Sequence, residues 1–412
     1  MLLHDLDEDV LGLIVSYLSP IRQDVVNLAL ACRSFYPITK YPEHISVTCP
    51  SAQYLALTNI FIEDPSYGHK MLSLHLRVDA PKCTIRRSTI DAFFQRVPNL
   101  RTLRLEADVK PHYTNLLLSP NLSFQNTLQT LHLTDSSLTV QEILNLLSLP
   151  KLRHLNLASD RPIHYSPPST PQSPFLHLQT LRLNSLLPAS ILASILPRTL
   201  QLSSLRWKIA LPANTLQTTL SHLSQSLVSL NLSTNRQTWV SHEIPPLDLS
   251  AFVCLTHVVA SAELFFTPLS PQISRDGFFD LLPYSLKSIT IYLPFQISLF
   301  YNLSLSHVDK VGRQAFLRGK LDPSLYNFIA QIADQKRERF PNLTKVELLE
   351  GVGGNRGPFV EESWVPPRKV REKFEETGTE LRVVVRADKV PGRDEGWVHW
   401  RGLGQGFRGS VW

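Results

Sequence analysis

Arg104, Arg182 and Arg206 stand at the fifth place of a recurring six-residue pattern, apolar-x-x-apolar-x-apolar. A guanidinium presents a planar fork of donors that matches a carboxylate or a phosphate. Three such forks at one register position therefore imply recognition of an acidic or phosphorylated segment. His132 and His154 lie in successive copies of the pattern, but no cysteine or acidic cluster joins them. They read as solvated histidines that extend the same polar surface, and no metal site is expected. The chemistry of catalysis is missing: there is no G-x-x-x-x-G-K-[ST], H-E-x-x-H, G-x-S-x-G or EF-hand loop. The G-x-G within GVGGNRG (351–357) has no helix after it, so a turn is expected there instead of a phosphate cradle. The expectation is a binding protein, not an enzyme, with no catalytic residues and no cofactor.

The elements that must carry these side chains follow from the pattern itself. It recurs as MLSLHL, LRTLRL, LQTLHL, LRHLNL, LQTLRL, LSSLRW, LVSLNL, LTHVVA, LKSITI and LTKVEL, starting at Met71, Leu100, Leu128, Leu152, Leu178, Leu202, Leu227, Leu255, Leu286 and Leu343. Up to Leu286 the starts are 24–31 residues apart, the period of leucine-rich repeats with some stretching. Each pattern predicts a short strand whose leucines enter the core while the alternate residues face out. The outward set is His75, Arg104, His132, His154, Asn156, Arg182, Arg206, Asn231, His257, Lys345 and Glu347. Return segments on the other side are predicted as helices in STIDAFFQRV, TVQEILNLLS, SILASIL, RDGFFDLL and SLYNFIAQIADQKRERF. Proline before the next strand, as in VPNL, LPKL and FPNL, stops each return. HISV (44–47) suits a weaker first unit, and VREKFEETGTELRVVV a last helix-then-strand unit. The asparagine of the regular repeat appears after the strand only at Asn235, with Asp79, Asp108 and Asp160 at equivalent places. Between Leu286 and Leu343 either a long insertion or a degenerate repeat is required.

The N-terminus differs. Within MLLHDLDEDVLGLIVSYLSP the apolar run follows acidic residues, which excludes a secretory leader, and it is too short to cross a bilayer. Asp5 with Glu8 forms a capping-box pattern, and acidic residues fill the first turn. Leu6, Val10, Leu13, Ile14 and Leu18 share a helical face, but Leu11 and Val15 make the opposite face apolar too. A second helix follows Asp24 through Val25 and Leu28 to Cys32, and Pro37 limits a third. Such short helices cannot hide all their apolar surface among themselves, so it must meet the rest of the chain or a partner.

LDEDVLGLIVSYLSPIRQDVVNLALACRSFY, Leu6 to Tyr36, resembles an F-box, the three-helix motif that binds the Skp adaptor of cullin-based ubiquitin ligases. The resemblance rests on Asp9-Val10, Leu13-Ile14, Tyr17-Leu18, Asp24, Asn27 to Leu30, and Cys32-Arg33 followed by Phe35. One departure is Asp7, where many F-boxes have a proline that pre-sets the first helical turn. With the repeats, the chain resembles the irregular F-box and leucine-rich repeat proteins common in fungi. The resemblance implies an α/β chain: an F-box-like helical bundle at 1–42, then a curved leucine-rich repeat solenoid over 43–390 with its parallel sheet on the concave face. It implies a substrate receptor of a Skp–cullin–F-box ligase, contacting the adaptor through Leu6, Val10, Leu13, Ile14, Leu18, Val25 and Leu28. An acidic or phosphorylated target protein would be held through Arg104, His132, His154, Arg182 and Arg206. The alternative is a repeat scaffold with no ligase role, its first helices capping the array.

Composition fits. A net charge of +6 over 412 residues is that of a mildly basic soluble protein, so neither nucleic acid nor membrane is an expected partner. Cys32, Cys49, Cys83 and Cys254 form no C-x-x-C pair, which suits reduced thiols in the cytoplasm or nucleus. The sequons at Asn121, Asn231, Asn302 and Asn342 would matter only in a secreted chain. A Pro/Ser-rich loop at 160–175 carries Ser166-Pro, Thr170-Pro and Ser173-Pro, candidate phosphorylation sites. The segment 391–412, rich in Gly, Trp and Arg, reads as a flexible tail.

Overall fold

Each leucine pattern becomes a strand that pairs in parallel with its neighbours. The computed structural model describes residues 44–48, 59, 63, 65–78, 92–107, 123–134, 139–158, 175, 177–184, 192–193, 195–209, 213–234, 245–266, 275–293, 323–350, 359–364 and 366–388. The chain divides into two units, Met1–Leu186 and Leu187–Trp412, a boundary that the composition does not announce.

In the first unit the strands are β1 (His44–Thr48), β2 (Ser73–Val78), β3 (Thr102–Ala107), β4 (Thr130–Thr134), β5 (His154–Ala158) and β6 (Thr180–Leu183). They pair parallel in sequence order. The alternation behaves as period-two physics requires. Leu74, Leu76, Leu103, Leu105, Leu131, Leu133, Leu155, Leu157, Leu181 and Leu183 are buried. The backbone repeats as well as the side chains. The carbonyl of Arg101 accepts from the N–H groups of Gln129 and Thr130 at 2.8 and 2.9 Å, and that of Gln129 from Arg153 and His154 at 2.8 and 3.0 Å.

The returns show why each starts where it does. Helix α1 (Pro65–Lys70) leads into β2. Helix α2 (Val140–Leu147) starts at Thr139, whose hydroxyl accepts from the Glu142 N–H while the Glu142 carboxylate accepts from the Thr139 N–H at 2.7 Å. This reciprocal capping satisfies two N–H groups that a helix start leaves open. Under the returns, Phe94 lies between Phe93 and Phe124 with ring centroids 5.6 and 5.4 Å away.

The second unit has β7 (Ser204–Ile209), β8 (Ser229–Thr234), β9 (His257–Ser261), β10 (Ser288–Leu293), β11 (Lys345–Glu350), β12 (Phe359–Trp364) and β13 (Glu380–Asp388). Their spatial order is β7-β8-β9-β10-β11-β13-β12. All pair parallel except β12, which runs antiparallel to β13 at the edge. β10 pairs directly with β11, so the long gap between Leu286 and Leu343 is an insertion and adds no strand between them. The returns are α3 (Ala213–Leu220), α4 (Pro323–Asp334), α5 (Lys336–Arg339) and α6 (Arg368–Thr377). α6 ends at Gly378, whose φ of 62° is the left-handed C-terminal stop that glycine adopts freely.

One expectation needs correction. RDGFFDLL is not an α-helix: Gly277 is left-handed at φ 78°, and only a four-residue 3-10 turn, Phe278–Leu281, follows before Pro283. Between Gly277 and Pro283 there is no room for a stable α-helix. The described residues of SILASIL, Leu192, Ala193 and Ile195, are helical as expected, and a 3-10 turn at Leu196–Arg198 ends the segment. The segment carrying β12 lacks the leucine pattern, and the sequence reading passed over it. The seven positions expected to contact an adaptor, residues 160–174, Asp79, Asp108, Asn235, GVGGNRG and 391–412 lie outside the described residues.

Hydroxyls one residue before the leucine pattern tie neighbouring repeats. Thr127 donates from Oγ1 towards the Leu100 and Pro98 carbonyls at 2.9 and 3.0 Å. Ser285, at the same place in its repeat, donates to the Leu255 carbonyl at 2.8 Å. Thr127→Val keeps the shape and deletes the donor. It is expected to lower stability by about 1 kcal/mol in urea unfolding; an unchanged midpoint would show the ladder to be dispensable.

Candidate functional site

The strand register sorts the outward residues into ranks that run across the first unit. One rank is His75, Arg104, His132, Asn156 and Arg182, each directly opposite the next on β2 to β6. Neighbouring strands lie about 4.8 Å apart, so these five side chains form a line of polar heads over buried leucines. His154 does not belong to it. It sits in the adjoining rank with Ser73, Thr102, Thr130 and Thr180, two residues back along β5 from Asn156. The sequence reading grouped His154 with the arginines; Asn156 holds that register position instead. Arg206 lies on β7, in the second unit.

Arg104 has a partner on its own strand. Its Nε donates to Glu106 Oε1 at 2.6 Å, and a second guanidinium N–H reaches the same oxygen. His75 Nε2 is 3.5 Å from it. Glu106 is the one acid on this outward face among the described residues. It was missed in the sequence, although it stands two residues after Arg104 and therefore on the same face. Arg182 is exposed and forms no ion pair among the described residues.

His132 is half-buried at the centre of the rank. The Asn156 carboxamide nitrogen and His132 Nδ1 are 3.1 Å apart. With Asn156 donating, the neutral ring carries its proton on Nε2, facing out. The Asn156 carbonyl oxygen is buried and has no hydrogen-bond partner among the described residues. Burial, first, and then the charges of Arg104 and Arg182 hold the His132 pKa below the ordinary imidazole range, with smaller contributions from His154 and His75. His154 is lowered too, by burial and then by Arg153 and Arg182. Both rings are thus kept neutral near neutral pH, beside guanidinium groups that repel a further positive charge.

The second unit carries a different balance. Its rank runs Arg206, Asn231, Val259, Thr290, Glu347 and Arg382. Glu347 is tied from three sides: Arg382 donates to it at 2.9 Å, Thr290 at 3.3 Å, and Lys345 Nζ is 3.5 Å away. With Glu380 opposite Lys345 on β13, that end neutralises itself, whereas Arg206 is exposed and forms no ion pair among the described residues. His257 Nδ1 and Ser288 Oγ are 2.7 Å apart.

Among the described residues no three His, Cys, Asp or Glu side chains converge as a metal site, and no helix is long and apolar enough to cross a membrane. The arrangement can bind an extended polymer through ranks of donors. No protein-family model matches the chain, and neither does any curated protein.

Proposed function

We propose that this chain is the substrate-recognition subunit of a Skp–cullin–F-box ubiquitin ligase. Residues 1–42 would form the adaptor-binding helices, and the strand repeats a curved leucine-rich repeat solenoid whose inner face holds a target protein. The observation that carries the reading is the juxtaposition in one chain of the LDEDVLGLIVSYL…CRSFY segment and repeated parallel strands whose outward face bears cationic and polar ranks. Such a receptor needs no reacting groups of its own. It raises the local concentration of target lysines beside the ubiquitin-loading machinery. That work belongs in the cytoplasm or nucleus.

Asp7 in place of proline favours a second reading, a repeat scaffold whose first helices serve only as a cap. Co-purification with a recombinant Skp adaptor separates the two. The receptor reading expects a stable complex with the full chain and none with a chain lacking residues 1–42. No complex with the full chain, when circular dichroism shows it folded, would leave the scaffold.

A further inference from the structure

We infer that the rank Arg104–His132–Asn156–Arg182 is an anion subsite for the phosphoryl group of an extended phosphorylated peptide, and that His132 takes up a proton from solvent when that group binds. This rests on reading the outward face of the first unit as a target-binding surface, and it specifies the ligand and the chemistry of recognition.

The argument begins with charge. Arg104 is already matched by Glu106, so the fixed positive charge left over on the rank is that of Arg182. A carboxylate would be balanced by Arg182 alone. A phosphoryl group carries about −1.5 to −2 charges at neutral pH and three acceptor oxygens, and needs one more cation. The rank holds one in reserve. His132 lies between Arg104 on β3 and Arg182 on β6, close enough for both guanidinium charges to act on its ring. Burial, first, and then these charges keep it neutral. An anion above the ring reverses that balance: it screens both arginines, attracts the imidazolium directly and accepts from the outward Nε2–H.

The incoming proton adds to Nδ1, which must then donate where it now accepts. Asn156 meets both states. Its carboxamide nitrogen partners Nδ1 in the neutral ring, and its unpaired, buried oxygen partners Nδ1–H after a turn about the last side-chain torsion. Asn156 is therefore a positioning residue for His132. The other groups that face the ring are His75 on β2, Glu106 on β3 and His154 on β5. Glu106 is held by Arg104, and both histidines add to the repulsion that keeps His132 neutral before binding. The Glu347 end of the second unit shows the contrast: Arg382 and Lys345 share the Glu347 carboxylate, and Glu380 stands opposite Lys345, so two acids meet two cations there.

The test uses the full chain and follows imidazole resonances by NMR between about pH 8 and pH 6, with His132→Gln providing the assignment. Three probes are compared: N-acetyl-phosphothreonine amide, N-acetyl-aspartate amide and inorganic phosphate. Saturation with the phosphothreonine probe is expected to raise the His132 titration by about one unit, which equals about tenfold tighter binding to the protonated ring. Arg182→Gln should weaken that probe at least fivefold, while the surface substitution leaves the fold intact by circular dichroism. An unmoved His132 resonance overturns the proposal. So does an equal response to the aspartate probe, which would mark a carboxylate site, or tighter binding of inorganic phosphate, which would mark a small-ion site. Adaptor co-purification does not involve this face, so a negative result here with the adaptor complex intact removes this inference alone.

Discussion

Trp207→Ala is expected to lower the stability of the second unit by about 3–5 kcal/mol, read as a lower urea midpoint. Trp207 occupies an inward place on β7 where most other copies of the pattern hold leucine, and it is fully buried, the largest side chain in the described core. Removing it leaves a cavity between strand and returns that a rigid repeat cannot close. The more informative variant is Trp207→Phe. The indole N–H is buried without an acceptor among the described residues, and an unsatisfied buried donor costs about 1–3 kcal/mol. Phenylalanine deletes that liability along with some volume, so the two effects oppose and the midpoint should stay within about 1 kcal/mol of wild type. A Phe variant as damaged as the Ala variant would mean that the N–H is satisfied after all.

Gly68→Ala should destabilise the first unit by about 2–3 kcal/mol, although alanine favours a helix over glycine by about 1 kcal/mol. Gly68 is buried in α1, and a Cβ built there would lie 2.0 Å from the Arg96 carbonyl oxygen and 2.9 Å from its carbon. The obstacle is backbone of the next repeat, which cannot rotate aside as a side chain does. Gly378→Ala is the control. Its φ of 62° strains an alanine, but nothing lies within 4 Å of the new Cβ, so a loss of only about 1 kcal/mol is expected there. Thermal and urea unfolding of the two variants checks the order. A neutral or stabilised Gly68→Ala would mean that neighbouring repeats can slide apart without cost.

Each of the ten leucine patterns became a strand, because alternation between a buried and a solvated face is a local property that six residues can encode. The final helix and strand were legible for a similar reason: Gly378 and the helical spacing of Val370 and Phe374 mark the turn and the buried stripe. Position across strands follows from place in the pattern. In LRHLNL the fifth place, which Arg104 and Arg182 hold in their copies, is Asn156, while His154 is at the third; like places pair across the parallel strands, so the rank was legible there and was overlooked. The need for glycine at position 68 was not legible, because it depends on a carbonyl 28 residues away, that of Arg96. β12 has no repeat pattern and is defined by its antiparallel partner. The adaptor-facing leucines remain a reading of the sequence, lying outside the described residues.

The direct pairing of β10 with β11 has a meaning for how such a chain can grow. Thr344 and Lys287, joined across this pair, are 57 residues apart, whereas His257 and Ser288 across the preceding pair are separated by 31. Doubling a loop raises its closure entropy by only about 0.6 kcal/mol, and the same backbone bond forms across it, Thr344 N–H to the Lys287 carbonyl at 2.8 Å. The sheet is therefore nearly blind to how much chain hangs between two of its strands. Evolution, or a protein engineer, can splice new sequence into this joint at little thermodynamic cost, trading one appendage for another while the strands beneath keep their register.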